Sequence, residues 1–108
     1  MDNRPDFIVD PFAPKYRILY AKAALKNFIK LKDQRLRDRI TSSIDKLALN
    51  PFPKHCKKLK EFKNIWEIPV GSYRIRYEPR CAMGEIEIVW FGHHQDDFGK
   101  PNFMKHIA

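Results

Sequence analysis

Trp66-Glu67-Ile68-Pro69-Val70-Gly71-Ser72-Tyr73-Arg74-Ile75-Arg76-Tyr77 is the stretch that decides the fold. Two β-forming runs flank Gly71-Ser72, and glycine first in a two-residue loop marks a type II′ turn. Such a turn fixes the register: Val70 faces Tyr73, Ile68 faces Ile75 and Trp66 faces Tyr77, while Pro69 opposes Arg74 and Glu67 opposes Arg76. Side chains alternate across a strand, so the first three pairs share one face and the last two the other. The apolar face must cover a second layer, which leaves Glu67, Arg74 and Arg76 on the open side of the sheet. Pro69 cannot donate to a ladder, so a local irregularity is expected there.

The covering layer lies upstream. Tyr16-Arg17-Ile18-Leu19-Tyr20 is rich in β-formers and predicts the first strand. Leu25, Phe28 and Ile29 then recur at helical spacing, giving a helix over about 22–31. Asp33 caps a second helix, in which Leu36, Ile40, Ile44 and Leu47 form an apolar stripe opposite Arg35, Arg37, Asp38, Arg39, Asp45 and Lys46. Asn50-Pro51 stops it, because a residue before proline is pushed out of helical angles. Residues 51–58 then form a basic loop.

Downstream, Glu85-Ile86-Glu87-Ile88-Val89-Trp90-Phe91 predicts a last strand with Ile86, Ile88 and Trp90 inward. Gly92 ends it, and His93 and His94 project from its end. The expected fold class is α+β: a small, mainly antiparallel sheet of about four strands packed on an N-terminal helical hairpin, in the order β-α-α-β-β-β. Three prolines make residues 1–14 an extended arm, whose Phe7, Ile8, Val9 and Phe12 can dock on the domain or a partner. The domain proper is expected over residues 15–100, with a C-terminal tail over 101–108.

Composition bounds the function. A length of 108 residues with 44% apolar content makes one domain with one modest core. Lysine and arginine outnumber aspartate and glutamate by 21 to 13, so the net charge of +8 favours polyanionic partners: nucleic acid first, an acidic protein second. Two cysteines, Cys56 and Cys81, are too few for a disulfide scaffold, which favours a reducing compartment. The N-terminus lacks a basic start followed by an apolar run, and no window approaches 18 apolar residues. A cytoplasmic protein without a membrane partner is expected.

The chemistry-bearing residues gather around the hairpin. Arg74 and Arg76 offer fixed guanidinium donors for a phosphate, although Arg76 opposite Glu67 equally suits a cross-strand ion pair. His93 and His94 titrate near neutral pH, so either can pass protons in hydrolysis or transesterification. His55 lies among lysines that disfavour a second positive charge and keep its ring neutral, as a base requires. Lys54, Lys57, Lys58, Lys60 and Lys63, with Arg80, can follow a nucleic-acid backbone, or form a solvated charge run. Phe62 and Phe98 can stack a base. His55, His93 and His94 lack a spaced carboxylate or cysteine that would complete a metal site, so no cofactor is expected.

The order of a basic lead-in, Lys57-Lys58-Leu59-Lys60, then Gly71-Ser72-Tyr73-Arg74-Ile75-Arg76-Tyr77, then Gly92-His93-His94 with Phe98, resembles the RelE/ParE superfamily of bacterial toxins over roughly residues 16 to 98. Members of the RelE type cut messenger RNA in the ribosomal A site without a metal, activating a ribose 2′-hydroxyl against the adjacent phosphate. Members of the ParE type poison DNA gyrase instead. The resemblance implies that Arg74 stabilises the scissile phosphate and that His94 is the acid or base. Phe98, four residues after His94, is similar to the YafQ-like branch, in which His55 also has a counterpart. Glu67 and Pro69 stand where RelE carries lysines, and phenylalanine replaces its terminal tyrosine. A neutralising antitoxin is the implied protein partner, and messenger RNA on the ribosome the implied substrate. A gyrase inhibitor and an inactive binding module are the alternatives on the same scaffold.

Overall fold

A computed structural model describes residues 15–93 of the chain; the proposed arm over 1–14 and the residues from 94 onward, the 101–108 tail included, lie outside the described residues. The elements run β1 (Arg17–Tyr20), α1 (Lys22–Lys30), α2 (Gln34–Leu49), β2 (Lys57–Lys58), β3 (Trp66–Val70), β4 (Tyr73–Arg80) and β5 (Glu85–His93), with one 3₁₀ turn at Cys81–Met83. They build a five-stranded sheet of order β1-β5-β4-β3-β2, backed on one face by the two helices.

All neighbouring strands are antiparallel except β1 and β5, which run parallel from Arg17 opposite Glu85 to Tyr20 opposite Ile88. The expected α+β class holds, with one strand more than expected. Lys57-Lys58 leaves the basic loop to pair with Glu67 and Trp66 as a two-residue edge strand.

The hairpin has the predicted register at all five pairs, from Trp66–Tyr77 to Val70–Tyr73. Gly71 has φ of 62°, and among the described residues no non-glycine residue, Ser72 included, has positive φ, as a type II′ turn requires. No irregularity occurs at Pro69. Because β2 reaches only to Glu67, the outer edge of β3 is unpaired beside Pro69, and its missing N–H costs no ladder bond.

Helix α2 starts where Asp33 accepts from the Arg35 and Leu36 amides, satisfying two of the orphan donors of the first turn. Arg37 ties the helices together: its Nη1 donates to the Leu31 carbonyl at 2.8 Å, and its guanidinium lies 4.6 Å from the centroid of the Phe28 ring. The main core joins Ala24, Ile40, Ile44 and Leu47 from the helices to Ile68, Val70, Ile75, Tyr77, Ile86, Ile88 and Phe91 from the sheet. Tyr77 is fully buried, and its hydroxyl donates to the Pro51 carbonyl at 2.6 Å, anchoring the chain that leaves α2.

The expected inward set of β5 needs correction at its end. Register with β4 shifts between Arg76 and Tyr77, which oppose Trp90 and Ile88, so Val89 is an extra residue in a β-bulge. A one-residue insertion inverts the alternation beyond it. Phe91 therefore enters the main core, while Trp90 turns to the opposite face. There Leu59, Ile65 and Val89, with Phe62 and Trp90, make a second small apolar cluster. The sheet face away from the helices is thus partly roofed.

Candidate active face

Alternation brings Glu67, Arg74 and Arg76 together on the face away from the helices, as the hairpin register demands. That face is not open at Glu67 and Arg76, both of which are 5% exposed. Two charges taken out of water need close partners, and they find each other: Arg76 Nε and Nη2 lie 2.8 and 2.7 Å from Glu67 Oε2. Trp90 closes the site from above, its ring centroid 4.3 Å from the Arg76 guanidinium carbon. Arg76 therefore meets RNA in this arrangement only if Trp90 moves. The bulge at Val89 is what puts the indole there.

Gly92 makes room for that indole. A Cβ at residue 92 would stand 2.1 Å from the Trp90 ring, a separation no side chain tolerates. The ring lies flat along its own strand, over the glycine and over Arg76.

Arg74 sits directly across from Gly92. Its Nη1 donates to the carbonyls of Gly71 and Tyr73 at 3.2 and 3.0 Å, and its Nε lies 3.9 Å from Glu67 Oε1. The side chain keeps 21% of its surface exposed. It is held in position and still reachable. Lys57 on β2 adds a further cation, 3.7 Å from the same Glu67 oxygen. Glu67, a residue the family resemblance sets where RelE has a lysine, is therefore the hub of three cations.

The far end of this face is also neutralised. Arg80 is bonded to Glu87 and Glu78 and lies 3.7 Å from Glu85, which in turn pairs with Arg17. Burial works against the Arg80 charge, but the hydrogen bonds it donates to Glu87 and Glu78, with the attraction of both carboxylates, outweigh it and hold its pKa above the usual value. Arg80 is committed to carboxylates, which removes it from the predicted backbone-following set. Lys54, Lys58, Lys60 and Lys63 are exposed around the β2 edge, and His55 is exposed in the loop before it.

His93 is on the other side of the sheet. It opposes Tyr73 in the ladder, and the two rings stand 4.3 Å apart on the face that carries the helices. Uninterrupted alternation along β5 would have placed it beside Arg74; the bulge turns it away. His94 and Phe98 lie outside the described residues. Among the described residues, no three His, Cys, Asp or Glu side chains gather as metal ligands would. The bulge and its roof escaped the sequence reading, yet Ile88-Val89-Trp90-Phe91 carries the signal. Four consecutive apolar residues cannot all lie on one face of a regular strand, so either both faces are covered or the strand slips.

Residues 14–98 match the family model described as the ParE toxin of type II toxin–antitoxin system, parDE. Among solved structures, a chain of the RelE–RelB complex of Pyrococcus horikoshii is similar with a TM-score of 0.66 and 20% identity, over 77% of this chain and 99% of that one. The isolated RelE toxin of E. coli gives 0.65 and 18% identity, over 86% and 99%. A chain of the RelB–RelE antitoxin–toxin complex of Methanococcus jannaschii gives 0.58 and 27% identity, over 71% and 91%. No curated protein matches in sequence. With the helical hairpin on a mixed sheet, the hairpin register and a family match across nearly the whole domain all in agreement, the chain belongs to the ParE toxin family of type II toxin–antitoxin systems.

Proposed function

We propose that this toxin is a metal-independent endoribonuclease that cuts messenger RNA on the ribosome. The observation that carries the reading is Arg74: a guanidinium fixed by two main-chain carbonyls, still one-fifth exposed, on a strand pair whose partner residue Gly92 precedes His94 by two positions. A fixed, always-charged fork is the group that stabilises charge developing on a scissile phosphate. In this mechanism His94, with His55 as a second candidate, moves the proton between the 2′-hydroxyl and the leaving oxygen. Phe98 stacks a base, and Lys54, Lys57, Lys58 and Lys60 hold the strand around the β2 edge. His93, against Tyr73 on the helix face of the sheet, takes no part at the phosphate held by Arg74. The partner that silences the toxin is an antitoxin, as in the complexes of the similar RelE proteins, and both act in the cytoplasm.

The test is cleavage of ribosome-bound message, mapped by primer extension. His94→Gln should lower the rate on the order of 10²–10⁴, and Arg74→Ala on the order of 10²–10³. Parental rates in either variant would sink the assignment. A gyrase inhibitor is the second reading, favoured by one observation: carboxylates neutralise the cations of the outer face, which weakens it as an RNA surface. That reading predicts intact messages and blocked supercoiling, both unaffected by His94→Gln.

A further inference from the structure

Across the sheet from Arg74, the end of α1, the start of α2 and the β3–β4 turn enclose a cleft of about 730 Å³. Lys30, Lys32, Arg35 and Arg39 line one wall, and Tyr73 and His93 the other. The single acid among its lining residues, Asp33, is already occupied in accepting two amides as the cap of α2. Among the described residues, none of the four cations enters an ion pair, whereas Arg17, Arg74, Arg76 and Arg80 on the opposite face all do. The fold has therefore sorted its charge. Arginines on the face predicted to be basic are neutralised internally, and those on the helix side are left without counter-ions around a concavity.

Like charges gathered in one concave space repel one another, and the field they share attracts polyanions. Arg39 is also placed rather than waving: its Nη1 would stand 3.1 Å from a Cβ at Gly71, so the guanidinium rests against the turn that glycine makes possible. The opposite wall is aromatic, with the Tyr73 and His93 rings 4.3 Å apart and inclined at 55°. Guanidinium forks beside an exposed aromatic edge are the pairing that holds single-stranded nucleic acid, phosphates on the cations and a base on the rings. An acidic peptide would use the cations and leave the rings idle.

We propose that this cleft is a second RNA-binding site, separate from Arg74 and on the opposite side of the sheet, which takes single-stranded RNA. It does not rest on the outer face being a cleavage centre, since binding here needs neither Arg74 nor His94. The probe is a fluorescein-labelled twelve-residue oligouridylate, titrated with the full-length chain by anisotropy over a range of salt concentrations. Arg35→Gln with Arg39→Gln should weaken binding at least tenfold and flatten the salt dependence. Each phosphate contact to a single strand contributes about 0.7 to the slope of log K against log salt, so two lost contacts remove about 1.4. Lys22→Gln with Lys26→Gln, exposed on α1 and outside the cleft lining, should leave that slope within a few tenths of the parent. An unchanged slope in the Arg35 and Arg39 variant overturns the proposal. So does Arg35- and Arg39-dependent binding of labelled decaglutamate without binding of the oligouridylate. Should that double variant fail to fold, Lys30→Gln with Lys32→Gln, both exposed, takes its place with the same expected loss and the same overturning result.

Discussion

Gly92 and Trp90 show how one missing side chain sets the character of a face. Gly92→Ala puts a methyl group where the indole lies, so Trp90 must lift away from Arg76. The expected cost is about 1–3 kcal/mol, typical of overpacking. Chemical denaturation measures it, and red-shifted Trp90 fluorescence in a Trp66→Phe background reports the lifted ring. A second residue-scale consequence concerns Tyr77. Burial pushes its phenol well above the usual tyrosine range, with Cys56 adding to the shift. Because the folded-state value is raised, the contribution is fully present below the unfolded value near 10 and is lost as pH climbs through the folded one. Stability should therefore begin to fall above pH ~10 in the parent. Tyr77→Phe should lose about 1–3 kcal/mol at neutral pH, since the buried Pro51 carbonyl forfeits its donor, and should show a shallower alkaline decline. Equal alkaline slopes would refute the assignment.

Among the elements, the Val89 bulge matters most. Deleting Val89 would make the β4–β5 pairing one-to-one and keep Trp90 opposite Arg76 and Phe91 opposite Ile75, while taking a fully buried side chain out of the second cluster. The expected outcome is a transition that stays cooperative but at a lower temperature, followed by circular dichroism; loss of cooperative unfolding would show that the fold needs the slip itself. The same bulge separates what was legible from what was not. Hairpin register, turn type, the Asp33 cap and the α2 stripe follow from local rules that act within a few residues and appear where residue spacing put them, whereas of the α1 set only Phe28 packs on the core, Leu25 and Ile29 being exposed and Ala24 buried in their place. The burial of Glu67 and Arg76, and the side of the sheet taken by His93, depend on a slip in a strand pairing, which local periodicity does not encode. Arg80 was misjudged for a related reason: its carboxylate partners Glu85 and Glu87 arrive from a neighbouring strand.

For the whole molecule, the net charge of +8 says nothing about its distribution, and the sheet distributes it unevenly. Carboxylates concentrate beside the outer-face arginines, leaving the free positive charge at the β2 edge and in the cleft at the helix ends. Topology has a further effect. The last described strand, β5, lies between β1 and β4, and among the described residues it is the only strand that pairs with β1. A fragment of residues 15–84 should therefore show no cooperative melt, and adding residues 85–93 should restore one; a stable shorter fragment would contradict this dependence. Ribosomes make chains from the amino end, so a growing copy of this toxin carries its helices and hairpin before it carries the strand that joins them. Until that strand is delivered neither of the two proposed surfaces is complete, and the nascent toxin stays unarmed.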